Sequence, residues 1–209
     1  MVVHHLPDHL QDFARFGYLT GTRKGEIAKL AWSDVDREGQ RIMFRREHAK
    51  NGQPRVIPFV ATLAEIIARR WKAREYKAPG GTGIAELVFH HKGQPIRSFR
   101  KTWASACIAA GFCRPATDDQ GRPALSASGK PAMEPTLIFH NLRRSAVRNL
   151  VSAGVDQTVA MKITGHRTVS VFQRYRIVAD DDVRAALERA DAATKLAKAS
   201  NVVVLNAAR

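Results

Sequence analysis

The sequence predicts an α+β fold, mainly helical, with a small three-stranded antiparallel sheet. Three observations carry this reading. Apolar residues recur at helical spacing through most of the chain. Between residues 34 and 59 that spacing gives way to short β-prone runs. Asn51-Gly52, a dipeptide suited to a tight hairpin, lies between two of those runs. At 209 residues the chain fits one domain, with no internal repeat and no clear linker.

The elements follow in order. Leu10, Phe13, Ala14 and Leu19 recur with helical period and make a first helix from Asp8 to Leu19. A second helix, Arg23 to Ala31, follows the Thr20-Gly21 turn. Arg41 to Arg46 and Arg55 to Phe59 read as strands, with Asp34-Val35 supplying a third. Ala61 to Tyr76 returns to helical periodicity and ends at Pro79-Gly80-Gly81. Ser98 to Ala110 is a helix stopped by Gly111. Cys113 to Pro135, rich in Pro and Gly, reads as a long loop with a minor hairpin, and loops of that length are usually functional or disordered. Asn141 to Ala153 is closed by Gly154, and Asp156 caps a helix that ends at Gly165. A short helix spans Val169 to Tyr175 and an amphipathic one Asp180 to Ala199, before β-prone Asn201 to Leu205. That last segment is suited to adding a strand to a sheet edge, in its own domain or in a neighbouring protomer.

Composition narrows the partner. Thirty-four Lys and Arg oppose nineteen Asp and Glu, a net charge of +15, which points to a polyanion. Hydrophobic residues make up 44%, enough for a buried core. Two cysteines, Cys107 and Cys113, are too few for a disulfide framework, so the chain reads as intracellular. The first residues carry charge and Pro7 where a signal peptide needs an apolar stretch, so none is expected, and the most apolar run, Val56 to Ala68, is broken by Pro58 and Glu65. No strongly basic amphipathic helix suggests a lipid surface, so nucleic acid is the expected partner and a membrane is not.

Four polar patches stand beside turns or helix ends. In Thr20-Gly-Thr-Arg23-Lys-Gly-Glu26, Arg23 and Glu26 are three apart and share a helix face, where the carboxylate can hold the guanidinium. Lys50 adjoins the hairpin turn. His140-Asn-Leu-Arg143-Arg144 opens a helix, with His140 and Arg143 on one side and a helix N-terminus that favours anions. Gly165-His166 precedes Tyr175 by nine residues. Taken singly, each has a structural reading: a surface ion pair, a solubilising lysine, a capping histidine, a core tyrosine. The adjacent pairs His4-His5 and His90-His91 make poor chelates, since neighbouring side chains diverge, and no metal is called for.

Their order changes the weighing. Arg23, Lys50, His140-x-x-Arg143, His166 and Tyr175, in the stretches TGTRKGEIAKLAWSDVD, AKNGQPRVIPF and FHNLRRSAVRNLVSAGVDQTVAMKITGHRTVSVFQRY, resemble the catalytic domain of the tyrosine recombinases, or phage integrases. The resemblance runs from about Phe13 to Tyr175, with Cys113–Pro135 as an insertion. It implies the tyrosine recombinase catalytic-domain fold and a site-specific recombinase or integrase that cuts and rejoins double-stranded DNA through a 3′-phosphotyrosyl intermediate, without cofactor. It implies Tyr175 as nucleophile, Arg23 and Arg143 clamping the phosphate, His140 and His166 hydrogen-bonding it with His140 as base, Lys50 protonating the leaving 5′-oxygen, and Glu26 supporting Arg23.

The resemblance further implies a tetramer on DNA, a monomer when free, and a cytoplasmic, nucleoid-associated protein. The whole chain, 1–209, is expected to be a single catalytic domain with its core at about 8–178 and a C-terminal helix and tail at 179–209. Family members usually carry an N-terminal core-binding domain that closes a clamp on the duplex. It is absent from this sequence, so the chain is read as a fragment or as one whose partner supplies the other half. Two other readings stay open: a type IB topoisomerase-like enzyme, and a DNA-binding module without catalysis.

Overall fold

The computed structural model describes residues 1–45, 54–126, 129–174 and 180–200. A 3-10 turn, Val2–His5, leads into helix α1, Asp8–Thr20. Val2, Val3 and Leu6 are buried with the α1 residues Leu10, Phe13 and Phe16, so the core begins ahead of Asp8. Phe13 is its hub, meeting Phe89 and Phe99 edge to face at 5.7 and 5.6 Å, an arrangement aromatic quadrupoles favour.

Helix α2, Lys24–Ala28, is shorter than the expected Arg23 to Ala31. The main chain beyond it finds partners elsewhere. Val88 N donates to Leu30 O at 2.9 Å, Trp32 N to Glu86 O at 2.9 Å, and Ala31 N to the Asp34 carboxylate at 3.2 Å. Strands β1 (Val35–Asp36), β2 (Arg41–Phe44) and β3 (Arg55–Pro58) then form the expected three-stranded antiparallel sheet, in the order β1-β2-β3. Its register pairs Ile42 with Ile57 and Phe44 with Arg55. The Asn51-Gly52 turn and Lys50 lie outside the described residues.

Helix α3, Ala61–Lys72, buries Leu63, Ile66 and Ile67, and Arg69 grips Asp12 of α1 through Nε and Nη2. It stops four residues short of Tyr76. Residues Glu75–Ala78 instead form β4, paired antiparallel with β5, Gly81–Ile84. A turn at Pro79-Gly80 offers these residues a ladder of partners that helical periodicity cannot reveal. The small hairpin of β6 (His90–His91) and β7 (Gln94–Pro95) precedes α4, Arg100–Ala109, which buries Trp103, Ala106 and Cys107.

The Cys113 to Pro135 segment is more ordered than a loop. Strands β8 (Cys113–Pro115) and β9 (Met133–Pro135) pair antiparallel, with further bridges at Thr117–Pro123 and Leu125–Pro131. Helix α5, Asn141–Ser152, packs on α1. Asp156 accepts from Thr158 N at 2.8 Å and caps α6, Gln157–Thr164. Helix α7, Val169–Gln173, follows, and Val147, Ala160 and Phe172 form a second buried cluster tying α5, α6 and α7 together. Helix α8 spans Asp180–Ser200. Tyr175 and Asn201 to Leu205 lie outside the described residues. Among those described, no helix is long and apolar enough to cross a membrane.

Candidate active site

The end of α1, the start of β3, the start of α5 and the α6–α7 turn meet at one place. Gly21 ends α1 with φ of +63°, and a Cβ there would stand 2.8 Å from Thr164 Cγ2. Only glycine meets both demands, and its carbonyl is thereby turned to Arg143. Arg143 is 3% exposed. Its Nη1 donates to the carbonyls of Gly21 and Thr164, and its Nε donates to His166 Nε2 at 3.2 Å. One side chain thus links α1, α5 and α6.

This network fixes the His166 tautomer. Because Nε2 accepts from Arg143, the ring proton sits on Nδ1, which donates to Thr164 Oγ1 at 2.7 Å. The Thr164 hydroxyl in turn donates to Ala160 O at 2.8 Å. Phe172 meets the imidazole edge to face at 5.5 Å. Burial, then Arg143 and the other nearby cations, push the His166 pKa down to about 3. His166 is therefore neutral near pH 7 and braces Arg143 from behind.

A cleft of about 120 Å³ opens in front, lined by Thr22, Arg23, Lys24, Phe139, His140, Leu142 and Arg143. His140 stands exposed at its rim, one residue before α5. Partial burial of its ring, followed by Arg143, Arg144 and Arg23, lowers its pKa, so it is held as a neutral imidazole able to accept a proton. Arg23 Nη1 donates to Glu26 Oε1 at 3.1 Å and more weakly to Gly165 O at 3.5 Å. Glu26 is 3% exposed. Burial alone would raise its carboxyl, but Arg55 and Arg23 together hold it below the usual range.

The expected residues therefore fall into three groups. Arg23, His140 and Arg143 face the cleft, and Glu26 and His166 hold two of them from behind. Lys50 and Tyr175 are outside the described residues. Two contributors escape the sequence reading. Thr164 orients His166, and Arg55 Nη2 donates to Glu26 Oε2 at 2.7 Å. The alternation Arg55-Val56-Ile57 carried a signal, because it places Arg55 on the core-facing side with Ile57. Among the described residues no three His, Cys, Asp or Glu side chains converge as a metal site. His90 is buried, whereas His91 stacks on His9 at 4.2 Å.

The shifts set an acid sensitivity. His166 stays neutral in the fold down to about pH 3 while its unfolded counterpart takes up a proton below 6.5. Stability is therefore lost as pH falls from 6.5 toward 3, by at most about 1.4 kcal/mol, or about 4 °C, per pH unit from this group. Glu26 has the opposite origin but the same sign: its stabilisation holds above its ordinary value of 4.5 and is lost below it, as pH falls through its folded value. Calorimetric melts from pH 7.5 to 5 should show the His166 component together with contributions of the same sign from His9, His90 and His140, whose pKa values burial also lowers, and His166→Gln should reduce the slope.

Residues 4–182 match the phage integrase family, so the chain belongs to that family. It is similar to the tyrosine recombinase XerC of Mycobacterium tuberculosis strain H37Ra, 29% identical over 177 residues, covering 83% of this chain and 51% of the relative. The fold is that of the Tn1549 transposon integrase in complex with transposon right-end DNA, at TM-score 0.60, 20% identity, 86% of this chain and 58% of that one. It is also that of a lambda integrase tetramer bound to a Holliday junction, at TM-score 0.57, 19% identity and 84% and 45% coverage. The chain spans about half the length of the relatives it matches.

Proposed function

We propose that this chain is the catalytic domain of a site-specific DNA recombinase or integrase. The observation that carries the reading is the pair of cleft-lining arginines, Arg23 and Arg143, each held by protein partners and flanked by a neutral His140. A phosphodiester under attack gathers negative charge on its non-bridging oxygens, and preorganised cationic donors stabilise that charge most where their partners already hold them still. The Arg23 fork can match two oxygens at once, because its protein partners engage Nη1 alone.

In the reaction the Tyr175 hydroxyl attacks phosphorus, and His140 accepts its proton. The bond from phosphorus to the 5′-oxygen breaks, and Lys50 protonates that oxygen. A 3′-phosphotyrosyl ester and a free 5′-hydroxyl result. Attack by a 5′-hydroxyl of another strand reverses the step and releases Tyr175, so the number of phosphodiester bonds is conserved and no nucleotide cofactor is consumed. His166 acts through Arg143 and Glu26 through Arg23. The net charge of +15 supports binding to the duplex through phosphates, with affinity falling steeply as salt rises. Tetramer assembly on DNA and a free monomer belong to the same proposal, with support from the tetrameric lambda integrase relative.

A strand-exchange assay with two duplexes carrying one target site tests this reading, scored beside plasmid relaxation. Recombinant product is expected. Relaxation without recombinants would instead assign a topoisomerase-like activity, and DNA binding without either would assign a binding module. Cleavage is expected to persist within about two-fold in excess chelator, because guanidiniums occupy the charge-stabilising role that a metal fills elsewhere. Loss to EDTA with recovery on adding Mg²⁺ would contradict that assignment.

A further inference from the structure

Arg55 lies outside the cleft lining, yet it is 7% exposed and built into the site's foundation. Its Nη2 donates to Glu26 Oε2 at 2.7 Å and to Thr22 Oγ1 at 3.3 Å. Its guanidinium lies 4.1 Å over the Phe44 ring. On another side it meets Gly165: a Cβ there would be 3.0 Å from Arg55 Nη1, and φ is +69°. The turn that carries His166 is thus seated on the Arg55 guanidinium, and only glycine permits that approach.

One carboxylate therefore serves two guanidiniums. Glu26 gives Oε2 to Arg55 and Oε1 to Arg23, and Arg23 answers with Nη1 alone. Among the described residues, Arg23 Nε and Nη2 make no hydrogen bond to protein, while the side chain lines the cleft at 22% exposure. A buried carboxylate with one cationic partner would draw that partner into a two-pronged pair, the geometry arginine and carboxylate favour. Arg55 prevents this by occupying the second oxygen.

We propose that Arg55 is a positioning residue: it engages Glu26 so that the carboxylate anchors Arg23 by one nitrogen and leaves the rest of that guanidinium for a phosphate. The inference rests on the recombinase reading above. It predicts that loss of Arg55 harms the site because Glu26 then neutralises Arg23, so the harm should require Glu26.

The test uses the full chain on a nicked suicide duplex, with single-turnover cleavage, DNA affinity and thermal melts read for Arg55→Met, Arg55→Lys, Glu26→Gln and the double variant Glu26→Gln/Arg55→Met. Arg55→Met should cleave about ten-fold more slowly at saturating DNA, with affinity within about two-fold of parental. The double variant should cleave at the rate of Glu26→Gln alone, because the competitor for Arg23 is gone. Arg55→Lys, which cannot reach Glu26 and Thr22 together, should lose about five-fold and is the variant to read if Arg55→Met gives no cooperative melt. Parental cleavage by a folded Arg55 variant overturns the proposal. So does a double variant whose loss equals the product of the single losses, or a loss confined to affinity. In all these cases the parental chain still forms its adduct; absence of adduct from the parental chain would remove the recombinase reading itself, and this inference with it.

Discussion

Tyr175→Phe is expected to abolish the covalent protein–DNA adduct while leaving the thermal midpoint and DNA affinity within error of the parental chain. The substitution removes one oxygen, and the proposed chemistry has no other nucleophile to use. Side chains that merely stabilise the transition state leave residual activity when removed, but loss of the attacking atom leaves none. The chain geometry supports the choice. Gly165 and His166 are anchored on Arg55 and Arg143, Phe172 is fully buried beside His166, and Tyr175 follows the end of α7 by two residues. Denaturing gels of a suicide-substrate reaction check it, and retained adduct in the Phe variant would assign the chemistry to another group.

The second large effect separates the two arginines. Arg23→Ala and Arg143→Ala should each slow cleavage by about 10²-fold or more, the scale of a lost preorganised donor. Arg→Lys should recover little: at Arg23 an ammonium cannot span two phosphate oxygens, and at Arg143 it cannot reproduce the fixed bonds to Gly21, Thr164 and His166. Only Arg143→Ala should also destabilise the fold. It strips partners from the Gly21 and Thr164 carbonyls and from His166 Nε2, all at a buried position. Leaving buried acceptors unpaired costs about 1–3 kcal/mol each, which melts will show as a midpoint several degrees lower. Arg23, partly exposed and tied mainly to Glu26, should leave the midpoint nearly unchanged. Equal destabilisation by both, or parental cleavage by the Lys variants, would mean that the arginines supply charge and no specific geometry.

What the sequence disclosed was mostly local. Asp156 and Gly165 bound α6 as read, because capping needs only neighbouring backbone groups. The patterns that place Arg23 near Glu26, and His140 near Arg143, are helical spacings of three. What it concealed was long-range. The Arg55–Glu26 pair spans twenty-nine residues and the Arg143–His166 bond twenty-three, and neither has a periodic signature. The sequence carries helix α3 four residues too far, because Ala73, Arg74 and Glu75 are helix formers and no Gly or Pro interrupts the chain before Pro79. The β4–β5 ladder that claims Tyr76 depends on a turn whose benefit appears only on pairing. The family resemblance implies His166 as a phosphate ligand. Its orientation toward Arg143 emerges only once Thr164 and Gly21 are in place.

The central claim is that this chain cuts DNA by joining it to Tyr175. The most direct measurement is to trap the chain on a nicked duplex whose cleaved fragment diffuses away, digest the denatured complex with protease and nuclease, and locate the nucleotide-bearing peptide by mass spectrometry. A 3′-nucleotidyl phosphate on Tyr175, formed with chelator present, is the predicted result. An adduct on any other residue, or cleavage without an adduct, would contradict the account.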